Sequence, residues 1–258
     1  DPNRTEAQLG LGICLLHQEK PEPAIACFDR VLARTPAHET ALFGKAVSLQ
    51  LLWKFDEATG LFLQLLTKNP QSEECLVNLV TIGMARKDHE TIQKYSEQLL
   101  LLRPHSQAAL EGLATCAFQR NDYEAAAQLC SKLVEFTPDH FERWFNLRVA
   151  EQKRNRPADA CKAYSEAVRI RPDAKQAHVN LGVMRQESGD LAGARESYER
   201  ALQIAPDQGE VIYNLASVLE QQNEKEESER LYVKLLARNP EWEDAWFRLG
   251  YLRLERGE

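Results

Sequence analysis

The sequence predicts an all-α protein built as a solenoid, in which pairs of antiparallel helices stack one after another. Apolar residues recur with the helical period in stretches that are separated by short polar breaks. In addition, eight of the eleven prolines are spaced 34 residues apart, and a fixed period of this length is typical of repeat proteins. These eight are Pro2, Pro36, Pro70, Pro104, Pro138, Pro172, Pro206 and Pro240.

Each interval between these prolines holds two apolar stretches, which we interpret as two helices of about 12–15 residues. Proline ends the second helix because it has no N–H and clashes with the preceding turn. The breaks inside the hairpins carry residues that tolerate a left-handed backbone, namely Asn121, Asn155, Gly189, Asn223 and Gly257. We therefore expect one array over residues 1–258, with repeats at about 5–38, 39–72, 73–106, 107–140, 141–174, 175–208, 209–242 and a half repeat at 243–258.

The packing residues within the repeat point to a known family. The fullest unit, 175–208, contains in order His178, Leu181, Gly182, Ala194, Tyr198, Ala201 and Pro206. This pattern resembles that of the tetratricopeptide repeat (TPR) family. The repeats look like those of the superhelical arm of O-linked N-acetylglucosamine transferase. The resemblance implies a right-handed α-solenoid of about seven repeats, whose first helices line a concave groove that binds other proteins or peptides.

Composition and motifs exclude several classes of function. The net charge of −7 disfavours nucleic acid and anionic membranes, and no apolar run is long enough for membrane insertion. The six cysteines are scattered, which argues against a disulfide framework or a metal site and favours a reducing, cytoplasmic location. The common phosphate-loop, metalloprotease and serine-hydrolase motifs are absent. We expect no enzyme activity, no catalytic residue, no metal and no cofactor.

The candidate peptide-binding residues lie on the helix face that is turned away from the core. The sixth repeat position carries Asn78, Asn146, Asn180, Asn214 and, at the end of the row, Arg248. A carboxamide both donates and accepts hydrogen bonds, so a row of asparagines could bind a peptide backbone of any sequence. The alternative is that asparagine is merely a tolerated surface residue there.

Aromatic residues accompany this row at the fifth repeat position. Such side chains often anchor a bound partner, although they could instead lean on neighbouring helices. The candidates are Phe43, Phe145, Tyr213 and Phe247.

The repeat at 141–174 differs from its neighbours in charge. It has eight Lys/Arg against five Asp/Glu, a net charge of +3. Lys153, Arg154 and Arg156 cluster at its inter-helix turn, either as a contact for an acidic partner or as a solvated rim. The same repeat places Arg148 where a small residue is expected. It also has Glu151 at an apolar position, for which we expect Arg185 of the next repeat as the buried partner.

A second departure from the repeat pattern lies at 73–106. Gly83, Ile92 and Ser96 replace the usual packing residues there, so we expect looser packing in this repeat.

The sequence favours a protein-interaction scaffold that binds extended segments of other proteins. Two alternatives stay open. The chain could be the substrate-recruiting arm of a larger enzyme, or a scaffold that self-associates through open array ends, since solenoids need polar caps for solubility. We expect the chain to be a fragment of a longer protein or to pair at one end.

Overall fold

The computed structural model describes the backbone of residues 5–256 and the side chains of residues 5–255. Within this range the chain forms fifteen α-helices and no strand. They are α1 (Thr5–His17), α2 (Pro21–Arg34), α3 (Glu39–Leu51), α4 (Phe55–Lys68), α5 (Glu73–Arg86), α6 (His89–Leu102), α7 (Gln107–Gln119), α8 (Tyr123–Phe136), α9 (Phe141–Lys153), α10 (Pro157–Ile170), α11 (Lys175–Glu187), α12 (Leu191–Ile204), α13 (Gly209–Gln221), α14 (Lys225–Arg238) and α15 (Glu243–Arg256). The odd-numbered helices are the first helices of the hairpins and the even-numbered ones the second. The all-α class predicted from the sequence is confirmed.

Local sequence explains where the helices begin and end. The even-numbered helices α2 to α14 each end two residues before a periodic proline. Inside the hairpins the predicted left-handed residues have positive φ, from 58° at Asn121 to 83° at Gly189. The predicted turn residue Gly257 lies outside the described residues. Where neither asparagine nor glycine is available, Glu19, Trp53 and Lys87 take the same conformation at a steric cost.

The chain divides into two compact units, residues 1–133 and 134–258. In each unit the core lies between the helices, around one aromatic side chain from each of several second helices. These rings are fully or almost fully buried: Phe28 and Phe62 in the first unit, and Tyr164, Tyr198 and Tyr232 in the second.

Glycines in the first helices let these rings approach the backbone. A Cβ atom added at Gly182 would lie 2.5 Å from the Tyr198 ring, and one at Gly44 would lie 2.4 Å from the Phe28 ring. Since real Cβ atoms do not come this close to another atom, the ring occupies the space that a side chain would need.

The expected pair between Glu151 and Arg185 is wrong. Both carboxylate oxygens of Glu151 accept hydrogen bonds from Nη1 of Arg154 at 2.8 Å. Arg185 instead donates to the Gly193 carbonyl and the Ser197 hydroxyl, each at 3.0 Å. A partner three residues away is available within the hairpin itself, so the pairing across the repeat boundary does not form.

The repeat at 73–106 is filled more completely than its sequence suggests. Ile92 and Ser96 are 0% exposed, and Leu76, Leu79 and Leu99 are buried with them. The small Ser96 is matched by Gly112 of the following hairpin, whose added Cβ would lie 2.5 Å from the serine Oγ. The backbone of α7 therefore closes the space that an aromatic ring fills elsewhere. The expected looseness stays a prediction about motion.

Candidate peptide-binding face

The asparagines of the sixth repeat position lie on first helices in both units. Asn146, Asn180 and Asn214 belong to α9, α11 and α13 of the second unit, and Asn78 belongs to α5 of the first. Helices α11 and α13 contact each other directly. Asn146 is exposed, whereas Asn180 and Asn214 are half-buried. We call the surface carrying the three asparagines of the second unit the ladder face.

Asn180 is held in place by its neighbours. Its Nδ2 donates to the hydroxyl of Tyr164 at 3.2 Å, and its Oδ1 accepts from Nε2 of Gln176 at 3.1 Å. A carboxamide has two N–H donors and two acceptor sites, so one donor and one acceptor remain for a ligand. Tyr164 comes from the second helix of the preceding hairpin, which ties the asparagine to the core.

Asn78 has a different setting. Its Nδ2 donates to the Glu74 carbonyl of its own helix at 2.7 Å. The same repeat position in the hairpins before and after it carries Gly44 and Gly112. Asn78 therefore has no neighbouring carboxamide along its unit, and the three-residue row is a property of the second unit.

Arg248 is not a free contact residue, as the sequence had led us to expect. Its Nη1 donates to Oε1 of Glu220 at 3.1 Å, and the residue is half-buried on α15. Burial opposes its charge, but the Glu220 carboxylate and a hydrogen bond with Tyr213 raise the pKa of Arg248 above its usual range. The guanidinium is therefore already neutralised inside the protein.

Three of the four expected aromatic anchors are packing residues. Each forms an edge-to-face pair with the buried ring of the second helix in its own hairpin, with these ring centroid separations: Phe43 with Phe62 at 5.7 Å, Phe145 with Tyr164 at 6.0 Å and Tyr213 with Tyr232 at 5.7 Å. Only Phe247, which is 73% exposed, lies open among the four. The expectation of ligand anchors at Phe43, Phe145 and Tyr213 is corrected to a rigid floor beside the ladder face.

Additional stacking stiffens this floor. Tyr213 stacks on Trp242 with ring centroids 5.8 Å apart, and Phe145 stacks on Phe141 at 6.0 Å. The rings meet because residues about 19–30 positions apart are brought together by the hairpin turns, a relation that helical periodicity along one helix does not reveal. In the first unit, Phe43 also lines a cavity of about 250 Å³ with Thr40 and Glu74.

Arg148 is the residue of this face whose importance sequence reasoning underestimated. Its guanidinium carbon lies 4.3 Å from the centre of the Phe145 ring and 5.1 Å from that of Tyr164. Nη1 donates to Oε1 of Gln152 at 2.8 Å, while Nε is enclosed without a hydrogen-bond partner. Burial lowers the pKa of Arg148. The available signal was an arginine at a position that is glycine, alanine or valine in every other hairpin.

The basic cluster at the turn of the same hairpin is smaller than predicted. Arg154 turns inward to Glu151, and both side chains are only about a tenth exposed. Lys153 and Arg156 are exposed. Only these two of the three candidates are accessible to an acidic partner.

The remaining candidate chemistry is limited in the part of the chain that the structure describes. Among residues 5–255, no group of three or more His, Cys, Asp or Glu side chains could hold a metal ion. The six cysteines, all of which fall in this range, are free thiols, and four of them are buried, as expected of core residues.

None of the described helices combines the length and the apolar character that crossing a bilayer requires.

Comparison with known families agrees with the repeat pattern. One tetratricopeptide repeat model matches residues 83–150 and 185–253, and a second matches residues 149–209. The chain belongs to the tetratricopeptide repeat family. A model of the coatomer epsilon subunit also matches this TPR chain, at residues 17–109.

Two curated proteins resemble parts of the TPR chain. Coatomer subunit epsilon of Dictyostelium discoideum is 32% identical over 102 residues, which cover 38% of this chain and 34% of that protein. Protein y4yS of Sinorhizobium fredii, which has no assigned function, is 35% identical over 78 residues, or 30% of this chain and 43% of that protein. The chain thus spans about a third to two fifths of the length of the curated relatives it matches.

Solved structures share the fold at low sequence identity. The C-terminal part of a TPR protein from Cytophaga hutchinsonii has a TM-score of 0.71 at 14% identity, covering 93% of this chain and 99% of that one. A chain of the Naa15/Naa10 complex bound to HypK-THB has a TM-score of 0.63 at 21% identity, covering 96% and 39%. YrrB, a TPR protein with an unusual peptide-binding site, has a TM-score of 0.59 at 16% identity, covering 72% and 96%.

Proposed function

We propose that this TPR chain is a protein-interaction scaffold with no catalytic role, and that its ladder face binds an extended segment of a partner protein. The observation that carries the proposal is the row of Asn146, Asn180 and Asn214 at one repeat position of three consecutive first helices. Their carboxamides can pair with the N–H and C=O groups of a peptide without reading its side chains.

The spacing of the repeats suits an extended ligand. Packed helices lie about 8–10 Å apart, and an extended chain rises about 3.3 Å per residue. A peptide crossing the first helices would therefore meet one asparagine about every three residues. A helical ligand, which rises about 1.5 Å per residue, would present mostly side chains to the same row.

The rigid floor supports binding by reducing its entropic cost. Asn180 is held by Tyr164 and Gln176, and Tyr213 beside Asn214 is clamped between Tyr232 and Trp242. Groups that are already ordered lose little freedom when a ligand arrives, so more of each hydrogen bond contributes to affinity.

The compared structures support the proposal at the level of family. YrrB has a peptide-binding site, and the Naa15/Naa10 complex binds HypK-THB. We place the function in the cytoplasm, which suits a chain whose cysteines serve mainly as core side chains.

The experiment is a selection of displayed random peptides on the purified chain, followed by affinity measurement for the enriched sequences. The triple variant Asn146→Ala, Asn180→Ala, Asn214→Ala should weaken binding by about 2–4 kcal/mol, since each lost hydrogen bond is worth about 0.5–1.5 kcal/mol. The matched control is Asn78→Ala, whose asparagine has no neighbouring carboxamide; it should leave affinity unchanged.

Melting temperature separates the outcomes of this experiment. Unchanged affinity of the triple variant with an unchanged melt would eliminate the ladder as a binding site. Lost affinity with a collapsed melt would mean that the asparagines are structural.

A second candidate function is that of a fixed subunit in a larger protein assembly. The match of residues 17–109 to the coatomer epsilon subunit favours it. Affinity purification of the tagged chain from its native cells tests the distinction. Co-purification of a stoichiometric set of subunits that survives the triple asparagine substitution would favour this second function over peptide capture.

A further inference from the structure

Arg148 is a half-buried cation without a counter-ion. Among the described residues, no carboxylate lies within the 4.0 Å ion-pair distance of its guanidinium. Its Nη1 is bound by a neutral amide, its Nε is enclosed without a partner, and its Nη2 has no partner in the protein. Since an uncompensated buried charge is costly, the site favours an anion supplied from outside.

The acidic side chains of the same hairpin are committed elsewhere. Four of its five carboxylates form ion pairs with other cations: Glu142 with Arg171, Glu151 with Arg154, Asp159 with Lys162 and Glu166 with Arg169. The hairpin as a whole carries a net charge of +3, from eight basic and five acidic residues. The local field therefore attracts an anionic ligand to this part of the surface.

Contacts place the guanidinium beside the ladder face. It lies over the ring of Tyr164, whose hydroxyl accepts the hydrogen bond from Asn180. On its other side, Gln152 is exposed to solvent and Phe145 belongs to the rigid floor. A peptide bound along the asparagines would pass directly over the open Nη2 edge.

Arg171 of the same hairpin provides a contrast. Its guanidinium also lies 4.3 Å from an aromatic ring, that of Phe141, but it pairs with Glu142. The two arginines have similar stacking and the same charge, and they differ in whether a carboxylate is already present.

We propose that Arg148 binds a carboxylate of the partner segment, so that the ligand of the ladder face is an acidic peptide. This inference rests on the proposed function. An arginine guanidinium pairs with a carboxylate through charge-assisted hydrogen bonds, which are stronger where water is partly excluded. The asparagines would hold the backbone of the peptide, and Arg148 would select an acidic residue at one position.

The test compares the wild-type chain with Arg148→Ala and with the control Arg171→Ala, which removes the same charge from an occupied site. Arg148→Ala should fold, because Ala46 and Ala216 occupy the same repeat position in hairpins with the same edge-to-face ring pair. Each protein is used to select peptides from a random 12-residue display library fused through the peptide C-terminus, and melting temperatures are recorded.

We expect Asp or Glu to be enriched at one position with the wild type and with Arg171→Ala, and the enrichment to be lost with Arg148→Ala. Replacing that acidic residue by Asn or Gln in a synthetic peptide should weaken binding to the wild type about tenfold and leave binding to Arg148→Ala unchanged. Comparing free-acid and amidated peptides distinguishes a terminal carboxylate from a side chain.

Three results would count against the inference. Enriched peptides with no acidic preference would overturn it while leaving the proposed function intact. An acidic preference that survives Arg148→Ala, or that is lost equally in Arg171→Ala, would assign it to general charge attraction. Failure of all three proteins to enrich any peptide would overturn the proposed function as well.

Discussion

Two fully buried serines should respond in opposite ways to the same substitution. Ser96 and Ser228 are both 0% exposed and both lie in second helices. The hydroxyl of Ser228 donates to the Ala216 carbonyl at 2.8 Å, whereas that of Ser96 has no hydrogen-bond partner. Replacement by alanine therefore removes a satisfied polar group in one case and an unsatisfied one in the other.

The magnitudes follow from these hydrogen bonds. An unpaired buried hydroxyl costs about 1–3 kcal/mol, and alanine is a better helix former than serine by about 0.5 kcal/mol. Ser96→Ala should therefore raise the free energy of unfolding by about 1–2 kcal/mol. Ser228→Ala loses a bond worth about 1 kcal/mol and regains about 0.5 kcal/mol from helix propensity, so it should lower stability by about 0.5 kcal/mol.

Urea unfolding followed by circular dichroism measures both changes, with melting temperature as a second readout. For a chain of this size, 1 kcal/mol corresponds to about 2–4 °C, so Ser96→Ala should melt visibly higher than the wild type. A variant Ser96→Ala no more stable than the wild type would refute the reasoning. So would a larger stabilisation from Ser228→Ala than from Ser96→Ala.

Two further predictions concern the buried ion pair and the thiols. Glu151→Leu should destabilise the chain by about 1–3 kcal/mol, because it leaves the inward-facing Arg154 unpaired, and adding Arg154→Leu should recover most of the loss in urea unfolding; simple additivity of the two changes would contradict the pairing. Burial raises the pKa of Cys130 to about 12, so at pH 8 its thiol stays protonated and should react with a disulfide reagent only on unfolding, whereas the exposed Cys14 should react at once in the native state; equal labelling of the two, resolved by peptide mass spectrometry, would show that the site of Cys130 is open.

The helices and their turns could be predicted from the sequence because they depend on neighbouring residues. A proline ends the helix before it wherever it stands, and Asn121, Asn155 and Asn223 adopt the left-handed turn through their own backbone preferences. The repeat position of the ladder asparagines could be predicted for the same reason, since counting 34 residues places Asn146, Asn180 and Asn214 on equivalent turns of equivalent helices.

The partners of individual side chains could be decided only by the tertiary structure. Glu151 had a plausible basic residue in the next repeat, but the distances selected Arg154 instead. Phe145 and Tyr213 had the spacing of a binding surface, yet rings about 19 residues further along the chain face them across each hairpin. Helical periodicity reports which way a side chain points and says nothing about what the next layer places against it. That second layer is also what leaves Arg148 without a counter-ion, since the carboxylates near it are paired with other cations.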